Sequence, residues 1–232
     1  MTTFDNITKR SVLVVLSGLM LLAVFAIVGC ESGNSSSSLT GMVSSDEGPD
    51  IDSFIKDWVI LDPIRTNGLT DSAVQAAAKR EYFPNQFTIV PHDGETETID
   101  GTEYTWHAVE TKDYNVNLYY FAEEYGYSSA NALFWAVTVI DCPEEMDNVR
   151  LAVGVNAAAV WWVNGEEVIG LYNDRQTVVD DGVSKRLTLK KGRNVVRGAI
   201  INASGAADFC ARFLDANDKP ITGLNVTIDT AK

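Results

Sequence analysis

The segment Val160-Trp161-Trp162-Val163-Asn164-Gly165-Glu166-Glu167-Val168-Ile169 predicts a tight β-hairpin. Its arms are rich in β-branched and aromatic residues, and they meet at Asn164-Gly165. Both central residues of a type I′ turn need a positive φ, which Asn tolerates and Gly adopts freely. Because the arms carry large side chains that cannot all face water, the hairpin has to lie against a second sheet. The segment therefore predicts a β-sandwich.

Short apolar segments fill much of the remaining chain. Candidate strands lie at residues 54–61, 87–90, 104–109, 132–140, 149–155, 177–179, 186–189, 195–201 and 211–215. Residues 132–140 are apolar at both alternating positions, which indicates a central strand covered on both faces. One short helix, the only substantial one, is predicted from Thr70 or Asp71 through Arg80, since Pro84 prevents its extension. Many short strands with little helix predict an all-β sandwich.

The length and charge of the chain limit the number of domains and the kinds of partner that are expected. The chain has 232 residues, enough for one sizeable core once an N-terminal targeting segment is set aside. Its 18 Lys and Arg against 32 Asp and Glu give a formal net charge of −14. A surplus of this size repels phosphate backbones, so nucleic acid is not expected as a partner.

The N-terminus has the pattern of a secretory signal. Lys9-Arg10 precede a mostly apolar run over residues 12–28, as in the charged and apolar regions of an export signal. The run ends in Ile27-Val28-Gly29-Cys30, which resembles a bacterial lipobox, whose cysteine is lipidated and becomes the mature N-terminus. The pattern predicts a lipoprotein signal peptide over residues 1–29 and membrane attachment through lipid on Cys30. The alternative is an uncleaved anchor, because about 17 apolar residues can just span a membrane.

The segment after Cys30 suggests a cellular location and a flexible linker. Glu31 stands where an Asp would resemble an inner-membrane retention signal, so the resemblance favours the outer membrane or cell surface of a bacterial envelope. Residues 30–53 are mainly Ser, Gly and acidic residues, which cannot offset the entropy of ordering them. We expect a flexible tether there and a folded domain over residues 54–232.

Catalytic and metal-binding patterns are sparse. The chain has no G-x-S-x-G motif, and its two histidines, His92 and His107, do not have metal-ligand spacing. Asp215-Ala216-Asn217-Asp218 reads as a polar turn rather than a calcium loop. The sequence therefore predicts no metal, no cofactor and no catalytic residue, although a carboxylate pair of the glycosidase type is a property of the fold.

Two cysteines remain once Cys30 is assigned to lipid. Cys142 and Cys210 each lie near a candidate strand end, and an even number in an oxidising compartment favours a disulfide. The alternative is a pair of buried free thiols, because sequence does not give the distance between their Cα atoms.

Aromatic residues supply the ligand-contact candidates. Trp161 and Trp162 are adjacent in a strand, so one enters the core while the other points outward, either under a loop or towards a ligand or partner. Tyr125 and Tyr127, in a Gly- and Ser-containing loop, are the next candidates. Most other aromatic residues are expected in the core.

The ordered motifs resemble the jelly-roll, galactose-binding-like modules of secreted bacterial glycan-degrading proteins. The likeness covers about residues 54–227 and rests on these pieces, in order: Trp58-Val59-Ile60-Leu61-Asp62-Pro63, Trp106, Phe134-Trp135-Ala136-Val137-Thr138-Val139 before Cys142-Pro143, Trp162-Val163-Asn164-Gly165, Leu189-Lys190-Lys191-Gly192-Arg193-Asn194, and Phe213-Leu214-Asp215 before Pro220-Ile221-Thr222-Gly223-Leu224. The resemblance implies a jelly-roll β-sandwich and carbohydrate binding.

The chain departs from that pattern at two places. Relatives carry an acidic pair before the hairpin where this chain has Asn156-Ala157-Ala158-Ala159, and alanines cannot bind a cation or sugar hydroxyls. Relatives also show Gly-Pro after the first strand, where this chain has Asp62-Pro63.

These features predict a non-catalytic, membrane-tethered extracytoplasmic module that binds a glycan or a partner protein. One alternative is a structural envelope lipoprotein that packs against other subunits. A second alternative is a glycan-active enzyme with an unrecognised carboxylate site.

Overall fold

A computed structural model of the protein describes residues 49–66 and 69–228. Cys30, its proposed signal peptide and most of the proposed tether lie outside the described residues. A 3-10 turn at Ile51–Ser53 buries Ser53, so regular structure begins just before the expected start at Phe54.

In the part of the chain that the structure describes, fourteen strands and two helices follow this turn. The helices are α1 (Asp71–Lys79) and α2 (Leu118–Glu124). The strands are β1 (Asp57–Leu61), β2 (Ile64–Arg65), β3 (Thr96–Ile99), β4 (Thr102–Glu110), β5 (Val116–Asn117), β6 (Ala132–Cys142), β7 (Met146–Asn156), β8 (Ala158–Val163), β9 (Glu166–Leu171), β10 (Gly182–Val183), β11 (Leu187–Leu189), β12 (Gly192–Asn202), β13 (Asp208–Leu214) and β14 (Asn225–Thr227).

The strands form two antiparallel sheets, which confirms the predicted all-β sandwich. The larger sheet has the order β3-β4-β1-β6-β12-β8-β9, with β2 and β14 also paired to β6. The smaller sheet has the order β10-β7-β13-β5, with β11 paired to β7. From β5 onward the chain crosses repeatedly between the sheets, as expected for a jelly roll.

The hairpin that the sequence predicts joins β8 to β9. Asn164 has φ 51° and Gly165 has φ 83°, as a type I′ turn requires. The Asn164 side chain also accepts a 2.9 Å hydrogen bond from the backbone N–H of Val195 and donates one of 2.9 Å to the side-chain oxygen of Asn194. The turn is therefore tied to the neighbouring strand β12.

The larger sheet is covered on both faces. Its inner face packs against the smaller sheet, and β6 is buried almost along its whole length, as its sequence predicts. Its outer face is covered by α1 and by the irregular residues 80–92, which place Phe83 and Phe87 over a second apolar layer. The molecule therefore has a helix and loop layer outside the sandwich.

The helix prediction is half right. Helix α1 forms where expected, and the Thr70 side chain caps it by accepting a hydrogen bond from the N–H of Ala73. Helix α2 was not expected, since α1 was predicted to be the only substantial helix. The Asn117 side chain caps α2 through the N–H of Tyr120, which allows a short helix despite its β-prone tyrosines.

Two predicted strands are absent from the described residues. Residues 87–90 and 177–179 are irregular or in turns. Both lie in segments that cover a sheet face without pairing to it. Phe87, Ile89, Val90 and Val179 are half-buried, whereas Val178 is 58% exposed. Across residues 49–66 and 69–228, no helix is both long enough and apolar enough to cross a bilayer.

Candidate ligand-binding surface

Trp161 belongs to the core between the two sheets. Its ring centroid lies 5.8 Å from that of Trp58 and 5.4 Å from that of Phe209, both in edge-on or tilted geometry. Gly198, its partner in the register of β12 and β8, leaves the room it needs, because an added Cβ would lie 2.6 Å from the Trp161 ring. Trp161 is fully buried and is not a ligand contact.

Trp162 points to the opposite face, as alternation along a strand requires, but it does not meet solvent. It is only 6% exposed and packs against Trp135 and Phe87 at centroid distances of 5.6 Å. The expectation of an outward tryptophan available to a ligand is therefore wrong, and packing under a loop is the observed alternative. The cause is the 80–92 segment, which shields this face of the larger sheet.

Tyr125 and Tyr127, the other predicted contacts, are exposed. Their side chains keep 40% and 38% of their accessible surface, and they follow directly after α2. We call these two residues the tyrosine pair. The structure therefore retains two of the four aromatic candidates on the surface and places the other two in apolar layers.

The carboxylate of Asp62 holds one member of the tyrosine pair. The hydroxyl of Tyr127 donates a 3.0 Å hydrogen bond to Oδ2 of Asp62, which also accepts a 2.8 Å bond from the N–H of Thr105. Oδ1 of the same carboxylate lies 3.0 Å from Nε2 of His107. Asp62 is 3% exposed, so this is a buried anchor beneath an exposed ring.

His107 holds the other member of the pair. The Tyr125 ring stacks on the imidazole with a centroid distance of 3.6 Å and an interplanar angle of 23°. The edge of Phe121, on α2, supports both rings at centroid distances of 5.2 Å from Tyr125 and 5.8 Å from His107. One Asp62 carboxylate thus orients both tyrosines, directly for Tyr127 and through His107 for Tyr125.

Acidic groups surround the tyrosine pair. Burial raises the pKa of Tyr125, and the charges of Glu124, Asp93 and Asp62 raise it further. Burial and the hydrogen bond to Asp62 likewise raise the pKa of Tyr127. Both phenols therefore stay neutral at physiological pH, and the surface combines aromatic faces with carboxylate acceptors.

A second pair of tyrosines is exposed on α2 itself. Tyr119 is 40% exposed and Tyr120 is 67% exposed, and their ring centroids lie 5.7 Å apart. The Tyr119 hydroxyl donates to a carboxylate oxygen of Glu123 at 3.0 Å. Within the described residues, four of the seven exposed large hydrophobic side chains are tyrosines between positions 119 and 127.

The predicted disulfide is not formed. Cys142 and Cys210 are both free and buried. Cys142 lies at the end of β6 in the core between the sheets, whereas Cys210 is in β13, where the neighbouring residues Phe209 and Ala211 face that core. Cys210 therefore points to the outer face of the smaller sheet, where burial raises its pKa to about 11. The fold places the two thiols on different faces, which no spacing in the sequence indicates.

The place where the resembled modules carry acidic residues is part of the core. Ala157, Ala158 and Ala159 are buried, so they line no accessible site. Asp215 forms the polar turn that the sequence predicts, because its carboxylate accepts hydrogen bonds from the N–H groups of Asn217 and Lys219. In the described part of the chain, no group of three or more His, Cys, Asp or Glu residues could hold a metal ion.

Sequence comparisons find no relative: no protein-family profile and no curated protein matches this chain. Among solved structures, the fold is similar to part of the β-glucosidase from Kluyveromyces marxianus in complex with glucose, with a TM-score of 0.38 and 23% identity over 53% of this chain and 16% of that one. The selenomethionine-labelled form of that enzyme gives a TM-score of 0.32 and 22% identity over 48% of this chain and 13% of the other. The chain thus spans a small part of that enzyme's length, and likeness at this level carries no functional argument.

Proposed function

We propose that the protein is a non-catalytic glycan-binding module that uses the tyrosine pair as its contact surface. The observation that carries this proposal is an exposed pair of aromatic rings held in fixed orientation by one buried carboxylate. Sugar rings bind proteins through their C–H faces on aromatic rings and through hydroxyls on polar groups. Tyr125 and Tyr127 offer the rings, and nearby carboxylates such as Asp93 and Glu124 offer acceptors.

Preorganisation supports binding at this pair. A tyrosine has few rotatable bonds, and these two are already fixed by stacking on His107 and by the hydrogen bond to Asp62. Folding has therefore already fixed the orientation of both rings, so that little further conformational entropy is lost when a ligand binds. The same bonds favour a binding role over catalysis, because both oxygens of Asp62 are engaged and the carboxylate positions its neighbours instead of facing a substrate.

The cellular location of the protein is also a proposal. We propose that Cys30 is lipidated and that the module is tethered to a bacterial envelope, at the outer membrane or cell surface, facing a glycan or an envelope protein that carries one. Support comes from the lipobox-like residues alone. Mass spectrometry of the membrane fraction should find a lipid-modified Cys30 at the N-terminus, and an unmodified Cys30 inside an intact N-terminus would overturn this part.

The test of the binding site is calorimetry of the folded protein against a panel of neutral oligosaccharides. We expect the double variant Tyr125→Ala with Tyr127→Ala to bind the tightest-binding oligosaccharide with an affinity lower by roughly tenfold or more, because the stacking contacts and the area they bury are lost. Tyr120→Ala is the matched control, because it removes a more exposed tyrosine from the neighbouring helix. Equal affinity of the double variant and the control, or no binding to any oligosaccharide, would overturn the proposal.

Affinity at the tyrosine pair should not depend on calcium. The described residues offer no cation site, and the contacts are ring faces and carboxylates. Titrations with and without EDTA should therefore give the same affinity. Binding that appears with calcium and disappears on chelation would contradict this expectation.

A further inference from the structure

A continuous basic segment stands out in this acidic protein. Between Gly182 and Ala207 the sequence contains no Asp or Glu, and its cations are Lys185, Arg186, Lys190, Lys191, Arg193 and Arg197. All of these except the buried Arg197 are exposed. The chain as a whole has a net charge of −14, so this segment is a local reversal of charge.

The basic segment forms one wall of a groove. The groove has a volume of about 620 Å³ and lies between β9, the edge strand of the larger sheet, and residues 185–190 around β11. Lys185, Arg186 and Lys190 line one side, and Glu166 and Glu167 line the other. Val163, Ile169 and Leu187 supply apolar surface to its lining. We call this feature the basic groove.

Existing ion pairs decide which of these charges can meet a ligand. Arg186 is paired with Asp218 at 2.8 Å, and Glu167 is paired with Lys79 at 3.0 Å. Within residues 49–66 and 69–228, Lys185, Lys190 and Glu166 form no ion pair. The groove therefore presents two uncommitted ammonium groups on one wall and one uncommitted carboxylate on the other.

We propose that the basic groove binds an acidic glycan, namely a uronate-containing oligosaccharide, at a site separate from the tyrosine pair. Such a ligand has carboxylates to meet Lys185 and Lys190, hydroxyls to donate to Glu166, and C–H faces to cover the apolar lining. A polyphosphate matches the lysines only, because it has no hydroxyl to donate to a carboxylate. A flat anionic membrane matches a convex surface better than a concave groove.

The test uses the folded full chain and a matched pair of ligands. Calorimetry compares tetragalacturonate with its fully methyl-esterified form, which keeps the sugar rings and removes the charge. We expect tetragalacturonate to bind and the ester to bind at least roughly tenfold more weakly, since charge-assisted bonds are lost. Raising the salt concentration should lower the affinity for tetragalacturonate and leave the affinity for the ester unchanged.

Variants then locate the site. The double variant Lys185→Gln with Lys190→Gln should bind tetragalacturonate with an affinity lower by roughly tenfold or more. Lys56→Gln with Lys112→Gln is the control with the same change in charge, placed near the β1 and β4 ends of the larger sheet, away from β9, and it should change affinity less than about twofold. Circular dichroism should show that both double variants fold, because Lys112, Lys185 and Lys190 are exposed and the half-buried Lys56 contributes only an ion pair with the exposed Asp52.

Several outcomes would overturn the proposal. These are no binding of tetragalacturonate, equal binding of the methyl ester, an equal effect of the two double variants, or tighter binding of polyphosphate or phosphatidylglycerol vesicles through the same lysines. Tyr125→Ala with Tyr127→Ala should leave tetragalacturonate affinity unchanged. Failure of the groove therefore leaves the tyrosine pair as a separate question, and failure of the tyrosine pair leaves the groove.

Discussion

Two pairs of aromatic residues that are close in sequence differ in burial: the tryptophans of the β8–β9 hairpin are buried, whereas the tyrosines after α2 are exposed. Trp161 and Trp162 are buried on two faces of one strand, each by a different apolar layer. Tyr125 and Tyr127 remain exposed, and a buried carboxylate fixes them from below. Aromatic character alone therefore does not mark a contact surface in this fold. What distinguishes the two pairs is whether another segment of the chain covers them.

Trp161→Ala should have the largest effect on stability. The ring fills the centre of the core between the sheets, so we expect a loss of about 3–5 kcal/mol in the free energy of unfolding. Urea denaturation monitored by circular dichroism measures the change. A loss below about 1 kcal/mol would mean that Trp161 is not the core residue that the packing indicates.

The hairpin turn offers the next largest effect. Asn164→Val places a β-branched residue at positive φ and removes the two side-chain hydrogen bonds to β12, so we expect a loss of about 2–4 kcal/mol. Asn217→Val, in an exposed turn, is the control and should cost much less. Equal melting temperatures for the two variants would contradict the structural role of Asn164.

Asp62→Ala tests the link between buried anchor and exposed rings. It removes the acceptor for Thr105, Tyr127 and His107, and we expect a loss of about 1–3 kcal/mol because a part-buried N–H donor loses its partner. Asp52→Ala, the control, breaks an exposed ion pair with Lys56 and should cost less than about 1 kcal/mol. If the two variants unfold at the same urea concentration, Asp62 is not an anchor.

Tyr125→Ala should have the smallest effect on stability. Its ring is 40% exposed and contacts the rings of His107 and Phe121 but is only partly shielded from solvent, so we expect a loss below about 1 kcal/mol. Urea denaturation provides this value alongside that of Trp161→Ala. A loss as large as that of Trp161→Ala would show that the tyrosine pair belongs to the core, and the contrast between the two regions would fail.

Local signals explain what the sequence could predict. The β8–β9 turn follows from the φ preferences of Asn164-Gly165, and the covered central strand β6 follows from apolar residues at both alternating positions. Helix α1 follows from its cap and its alanines. Each of these inferences needs only residues that are close in the chain.

The parts that could not be predicted depend on contacts between distant residues. Trp162 is covered by the 80–92 segment, which has no pattern that names its docking surface. Asp62 and His107 are 45 residues apart and meet because β1 and β4 pair with Ile60 opposite His107. The sequence offered one signal for this anchor, the Asp62 that stands where the resembled modules have glycine. Glycine has no side chain with which to hold a histidine or a tyrosine.

The two free thiols bear on how the chain reaches its fold. In the folded protein, Cys142 and Cys210 lie on different sheet faces, and burial raises the pKa of both, so little reactive thiolate is present at neutral pH. An unfolded chain has neither protection, and an oxidising compartment can join the two sulfurs. That crosslink would tie the inside of one sheet to the outside of the other and would prevent the sandwich from closing. Under the proposed export, the chain therefore has to bury both cysteines before they are oxidised.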